Sequence, residues 1–113
     1  MDKLTHYRAL VKKHLSDFCA YANRARSNGI ETQCVFDEER DQYLLLSFGW
    51  NKNRRVRITL LHVRLRDGKI WIEEDDTEDG IATALVRAGV PHQDIVLAFH
   101  PPGLRHLTEF APA

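Results

Sequence analysis

The apolar positions at the start of the chain recur every three or four residues: Leu4, Tyr7, Val11, Leu15, Phe18 and Ala22, with Lys3, Arg8, Lys12, Lys13 and Asp17 between them. That period predicts an amphipathic helix of about twenty residues with one buried stripe. Ser27-Asn28-Gly29 supplies the turn that stops it. The period then shortens to two. Ile30 to Phe36 and Tyr43 to Trp50 read as strands joined into a hairpin by the polar turn Asp37-Glu38-Glu39-Arg40. In the second strand Leu44, Leu46, Phe48 and Trp50 fall on one face, and Tyr43, Leu45 and Ser47 on the other. The loop Asn51-Lys52-Asn53 leads into a long strand from about Arg54 to Arg66, and Asp67-Gly68 is a strong hairpin signal that leads into a fourth strand, Lys69 to about Glu74.

Loop length sets register. A two-residue loop at Asp67-Gly68 pairs Arg66 with Lys69, Leu65 with Ile70 and Val63 with Ile72; on the reverse face it pairs Arg64 with Trp71 and His62 with Glu73. Counting back from the loop after Trp50 sets Phe48 opposite Val56, Leu46 opposite Ile58 and Leu44 opposite Leu60 on that reverse face. The third strand is then apolar on one face in its first half and on the other in its second, and a sheet greasy on both sides needs cover on both. One amphipathic helix covers one face. The remainder is expected from the C-terminal segment or from another subunit, so a homo-oligomer, a dimer or larger, is expected.

After the fourth strand, Asp76 or Thr77 is expected to cap a helix that starts with acids, runs through Ile81, Ala84, Leu85 and Ala88 and ends at Gly89. Pro91 opens a short turn or helix to Asp94. Ile95 to Phe99 fits a strand and a buried helix equally, and His100 and Pro101 must be extended because each precedes a proline. The fold expected is α+β: a long N-terminal helix, a four-stranded antiparallel hairpin meander and a helical C-terminal segment, one domain over residues 1–113.

The chain has 113 residues, 43% hydrophobic and 28% charged, a globular composition with no stretch polar enough to be disordered. No apolar run approaches the roughly 20 residues that span a bilayer, and Met1-Asp2-Lys3-Leu4 lacks the apolar core of a signal peptide, so the cytoplasm is the expected location and no membrane partner is expected. Cys19 and Cys34 lack metal or redox spacing and read as small buried hydrophobes. Net charge is zero, yet its distribution is uneven. Seven basic residues lie between Lys52 and Lys69 against one acid, and the ten residues that follow hold six acids and no base. Such poles suit a charged partner or a second copy of the chain.

Candidate chemistry is thin. Asp75-x-Thr77-x-Asp79-Gly80 imitates the opening of a calcium loop, but Val86 stands where the closing glutamate belongs. Asp67-Gly68-Lys69 has the D-x-K spacing of some nucleases and is fully explained by the turn. His62 opposite Glu73, and His100 beside two prolines, have no nucleophile to complete them. Trp71 against Arg64 reads as a cation–π pair. No phosphate-binding glycine loop, dinucleotide fingerprint or zinc-protease motif is present. The chain is therefore expected to bind another macromolecule rather than to catalyse, with no catalytic, cofactor or metal residues.

Several stretches, taken in order, carry a resemblance. They are Met1-Asp2-Lys3-Leu4 with Tyr7-Arg8, Phe36-Asp37-x-x-Arg40-Asp41-x-Tyr43, Gly49-Trp50 followed by Arg54-Arg55-Val56, Asp67-Gly68-Lys69-Ile70-Trp71-Ile72, Thr77-Glu78-Asp79-Gly80-Ile81-Ala82, Ala88-Gly89-Val90-Pro91, and Asp94 through Pro102, with Arg105 and Phe110-Ala111 beyond. Nearly the full length of the chain resembles the XisI family in this way. It departs from the family pattern at Asp75-Asp76, at Gly103-Leu104 and at Pro112. The resemblance implies a controlling factor for excision of the fdxN element, a DNA rearrangement of heterocyst-forming cyanobacteria. Such a factor is an accessory to a site-specific recombinase, working with a companion called XisH and having no catalytic residues of its own. On this reading Lys52, Arg54, Arg55 and Arg57 are candidates for DNA phosphates. Phe99, His100, Pro101, Pro102, Leu104, Arg105 and Phe110 are candidates for a partner interface built on a prestiffened loop. The competing reading is a protein-interaction module, an antitoxin-like or regulatory partner of a nuclease-like companion, with no direct DNA contact.

Overall fold

The computed structural model describes residues 2–25 and 29–113, and the Ser27-Asn28 part of the expected helix stop lies outside the described residues. The N-terminal stripe folds as α1, Lys3–Ala25. Its first turn is capped by Asp2, whose Oδ1 accepts a hydrogen bond from the Thr5 amide at 2.7 Å. Tyr7, Val11 and Leu15 are buried, Phe18 packs half-buried beside them, and Leu4 stays at the surface.

Four strands follow as an antiparallel meander in chain order: β1 (Ile30–Asp37), β2 (Gln42–Asn51), β3 (Arg54–Arg66) and β4 (Lys69–Asp75). Next come α2 (Ile81–Arg87), a 3₁₀ turn (His92–Asp94), β5 (Ile95–Leu97) and a second 3₁₀ turn (Pro102–Leu107). The expected sheet of four antiparallel strands is thus corrected to five strands of mixed sense, with β5 parallel to β4 through Ile70↔Ile95, Trp71↔Val96 and Ile72↔Leu97. The α2 crossover returns the chain to the end of the sheet where β4 began, which forces the parallel sense. Ile95 and Val96 are both fully buried. A strand covered on both faces reads as a continuous apolar run, which is why its sequence showed no period.

Register follows expectation where the turn dictates it. Asp67 and Gly68 have φ of 54° and 75°, and Leu65↔Ile70, Arg64↔Trp71 and Val63↔Ile72 pair as counted. Two corrections lie further along. The first is a bulge in β4 that sets His62 opposite Glu74 instead of Glu73. Glu73 turns to Arg64 at 2.9 Å, while His62 Nε2 pairs with Gln42 Oε1 at 2.7 Å. The second concerns the β2–β3 loop, which is only Lys52-Asn53: Asn51 pairs with Arg54, and Lys52 takes a φ of 58°. Phe48 therefore meets Arg57 rather than Val56, Leu46 meets Thr59 rather than Ile58, and Leu44 meets His62 rather than Leu60.

Leu60 is the extra residue that makes these pairings compatible, since Leu45 pairs with Leu61 and Leu46 with Thr59. The bulge absorbs the change of apolar phase along β3. Val56 and Ile58 before it, and Leu61, Val63 and Leu65 after it, all end on the face of Tyr43, Leu45 and Ser47. That inner face carries the core: α1 and α2 lay Tyr7, Val11, Leu15, Ile81 and Leu85 on Tyr43, Leu45, Leu61, Val63, Ile70 and Ile72. Full burial of a leucine such as Leu15 makes its truncation to alanine cost about 2–5 kcal/mol. On the outer face a smaller cluster of Trp71, Val96, Ala98 and Ala111 sits under the C-terminal segment.

The cap of α2 is also corrected. Asp75, not Asp76 or Thr77, holds the turn: its Oδ1 accepts the Thr77 amide at 2.9 Å and the Thr77 hydroxyl at 2.5 Å, and its Oδ2 accepts the Ile81 amide at 2.7 Å. The acids lie in the loop before the helix, and its first turn has none. Cys19 and Cys34 are free and only half-buried, their thiols donating to the carbonyls of Thr32 and Leu15. No described helix is long and apolar enough to cross a membrane.

Candidate interaction surface

The β2–β3 hairpin separates the sequence's basic run into two groups. Beyond the Leu60 bulge, Arg64 is paired with Glu73 at 2.9 Å and Arg66 with Asp67 at 3.4 Å. Before it, Lys52, Arg54, Arg55 and Arg57 are all exposed, and among the described residues none of them makes an ion pair. Lys52 and Arg54 lie at the hairpin end; Arg55 and Arg57 lie on the outer face, opposite Trp50 and Phe48. The Arg55 guanidinium stacks 5.4 Å from the centre of the Trp50 ring and donates to the Gly49 carbonyl at 3.5 Å. Trp50 is itself 53% exposed. A shallow depression of about 440 Å³ opens beside Leu46, Phe48, Arg55, Arg57 and Thr59. A tryptophan in that position was legible only as a strand residue, because its stacking on Arg55 depends on a loop of two residues.

The second candidate set is divided differently. Phe99, Leu104 and Leu107 are 48%, 52% and 73% exposed, all within the segment that turns at the proline pair, with the His100 ring 4.6 Å from that of Phe99. Pro101 and Pro102 are exposed at the entry to the 3₁₀ turn. Arg105 faces inward: its Nε donates to the His100 carbonyl and its Nη2 to the Ala98 carbonyl, both at 3.0 Å, and its guanidinium lies 5.7 Å from the Trp71 ring centre. Arg64 and Arg66 flank the same ring at 5.8 and 5.3 Å, the first being the cation–π pair expected from the sequence. Phe110 is half-buried against the main core and the His92 ring. Arg105 and Phe110 therefore hold the corner in place, and Leu107, which no sequence signal singled out, joins Phe99 and Leu104 at its surface.

A polar network near the start of α1 has no signature in the sequence because its members are far apart in the chain. Arg8 Nε donates to Asp41 at 3.0 Å and to the Tyr43 hydroxyl at 3.2 Å, and Tyr43 donates to Asp41 at 2.7 Å. Burial works against the Asp41 charge, but the hydrogen bonds from Arg8 and Tyr43 outweigh it and hold the carboxyl below its ordinary range. The bond to Asp41 in turn raises Arg8. Tyr7 donates to Asp94, which Lys3 also reaches at 3.3 Å. Burial and that bond push the Tyr7 hydroxyl up to about 12, and burial with the Asp41 bond does the same to Tyr43. Every member answers another, so the network clamps α1 to the β1–β2 turn and to the start of β5.

Among the described residues no group of three or more His, Cys, Asp or Glu side chains is placed to hold a metal ion. The family profile described as XisI protein matches residues 1–112. Among solved structures, a XisI-like protein from Anabaena variabilis ATCC 29413 is 34% identical and superposes with a TM-score of 0.90 over 97% of this chain and 99% of its own. The fdxN element excision controlling factor XisI from the same organism is 42% identical, with a TM-score of 0.83 over 99% and 100%. No curated protein sequence matches the chain.

Proposed function

The chain belongs to the XisI family, and from that premise we propose that it is a controlling factor for excision of a DNA element, acting through contact and not through chemistry of its own. The observation that carries the reading is the uncompensated charge of the β2–β3 hairpin end. Lys52 and Arg54 project there, Arg55 stacks on exposed Trp50 one rung behind them, and among the described residues no carboxylate answers them, although the chain as a whole is neutral. A polyanionic backbone is the ligand that such an end suits: cations take phosphates, and a stacked indole supports a base or sugar. The second reading is a protein contact at the C-terminal corner, favoured by the exposed apolar side chains Phe99, Leu104 and Leu107. A companion of XisH type or the recombinase itself would seat on them, and the two contacts are compatible because they lie on different elements.

Anisotropy of a labelled duplex, titrated across salt concentrations, tests the first reading. Affinity is expected to fall steeply with salt and to vary little with sequence. Replacing Lys52, Arg54 and Arg55 by alanine is expected to lower the slope of log affinity against log salt by about 2–3, since each phosphate left unneutralised removes roughly 0.9. Absence of binding at low salt sinks the DNA contact and leaves the corner as the working surface.

A further inference from the structure

We propose that the outer face of the sheet over β1, β2 and β3 docks a second copy of this chain about a two-fold axis running along β2. The C-terminal segment covers this face only at β4 and β5, through Trp71, Val96, Ala98 and Ala111, while both α-helices pack on the opposite face. Over the other three strands the register sets out rows of side chains: Glu31, Phe48 and Arg57; Gln33, Leu46 and Thr59; Val35, Leu44 and His62. The midline is apolar, and none of Val35, Leu44, Leu46 or Phe48 belongs to either core cluster. Val35 is 45% exposed. A sheet face of this kind is ordinarily packed against a second layer.

Its charges argue for what that layer is. The acid, Glu31, flanks the midline on β1, and the base, Arg57, flanks it on β3 in the same row; neither makes an ion pair among the described residues. Among the described residues the Glu31 carboxylate accepts one hydrogen bond, from the Gln33 side-chain amide at 3.0 Å. A face whose opposite charges sit on opposite sides of an apolar midline is its own complement when turned about that midline. The rotation brings Glu31 of each copy over Arg57 of the other and stacks Leu44, Leu46 and Phe48 on their counterparts, an isologous contact. Turning the second copy end for end instead would leave both charges unanswered. The chosen axis also leaves both hairpin ends, with Lys52 and Arg54, at the same end of the dimer. The dimer itself stands or falls independently of any DNA contact.

Charge reversal with rescue, read by light scattering and sedimentation at micromolar concentration, tests the proposal. The wild-type chain is expected to be a dimer. Glu31→Arg and Arg57→Glu are each expected to weaken it at least about tenfold by setting like charges together twice. The double variant is expected to recover it, and circular dichroism reports that each variant folds. Within one chain the two side chains stand two strand spacings apart, about 10 Å, beyond the screening length of roughly 8 Å at physiological salt, so their mutual effect inside one chain is attenuated and recovery of the dimer reads the contact between copies. Leu46→Thr, a strand-compatible change that removes apolar contact without adding charge, is expected to weaken the dimer as well. A wild-type monomer overturns the proposal and leaves the face to a partner of another kind. Single reversals without effect, or a double variant that stays monomeric, overturn it equally.

Discussion

Gly49 occupies a position where no side chain fits. A Cβ there would lie 2.0 Å from the Gly29 carbonyl oxygen, and the φ of 146° is one that other residues rarely adopt. Since Gly49 pairs with Ile30 at the last rung of the β1–β2 ladder, Gly49→Ala is expected to open that rung and to cost roughly 2–4 kcal/mol in urea denaturation. The residue was legible as a member of a motif, but its reason was not, because the obstructing atom belongs to Gly29, just before β1 and twenty residues back in the chain. Tyr7 and Tyr43 give a pH dependence with a definite sign. Each folded-state hydroxyl is raised from 10 to about 12, so its stabilising effect is complete below about pH 10 and is lost as pH rises towards 12. Tyr7→Phe is expected to lower stability at neutral pH and to flatten the decline between pH 10 and 12; an unchanged alkaline profile would mean that burial and the Asp94 bond do not raise the hydroxyl.

For the elements, the Leu60 bulge and the Asp75 cap make separate predictions. Deleting Leu60 leaves Ile58 facing in, Thr59 out and Leu61 in, a regular alternation, so the register on both sides of the bulge survives. The deletion variant is expected to keep its strand content and lose about 1–3 kcal/mol, from Leu60's packing and the 2.7 Å bond from the Asp76 amide to its carbonyl. Inserting an alanine after Ile58 should instead disturb the ladder and the hairpin beyond it, seen as loss of strand signal. Asp75→Ala is expected to cost about 1–2 kcal/mol in thermal denaturation, and Asp76→Ala close to nothing. These two features also mark where sequence reasoning stops. The Asp67-Gly68 turn encodes its own register in two adjacent residues. A bulge is a relation between two strands, and β3 alone showed only that its apolar phase changed, which reads as two greasy faces. Six acids precede α2, and loop geometry, not residue type, selects Asp75 among them. In the candidate surfaces the unpaired cations were legible as a cluster, while the inward role of Arg105 was not, since its acceptors are backbone carbonyls.

The whole molecule is a meander closed by its tail. Arg105 ties the corner to the Ala98 and His100 carbonyls and to Trp71, and Ala111 donates to the Ile95 carbonyl at 2.9 Å. Arg105→Ala is expected to loosen residues 98–111 without unfolding α1 or the first four strands. Amide exchange should then quicken at Ala98, Leu104 and Ala111 with little change at Leu45 or Val63; uniform acceleration would mean that the tail is not separable. The parallel seat of β5 has a consequence in time as well as in space. Each rung of the meander joins strands that follow one another along the chain, whereas β5 must cross over α2 before it can pair with β4. Loop-closure entropy makes such a pairing late, so the helix and four strands should collect first, with the β4 flank bare until the tail docks. During synthesis the last strand is also the last to emerge, and a ribosome-bound chain ending before Ile95 would carry an open sheet edge. That edge, rather than the hairpin end, is where stalled or truncated copies should stick to one another.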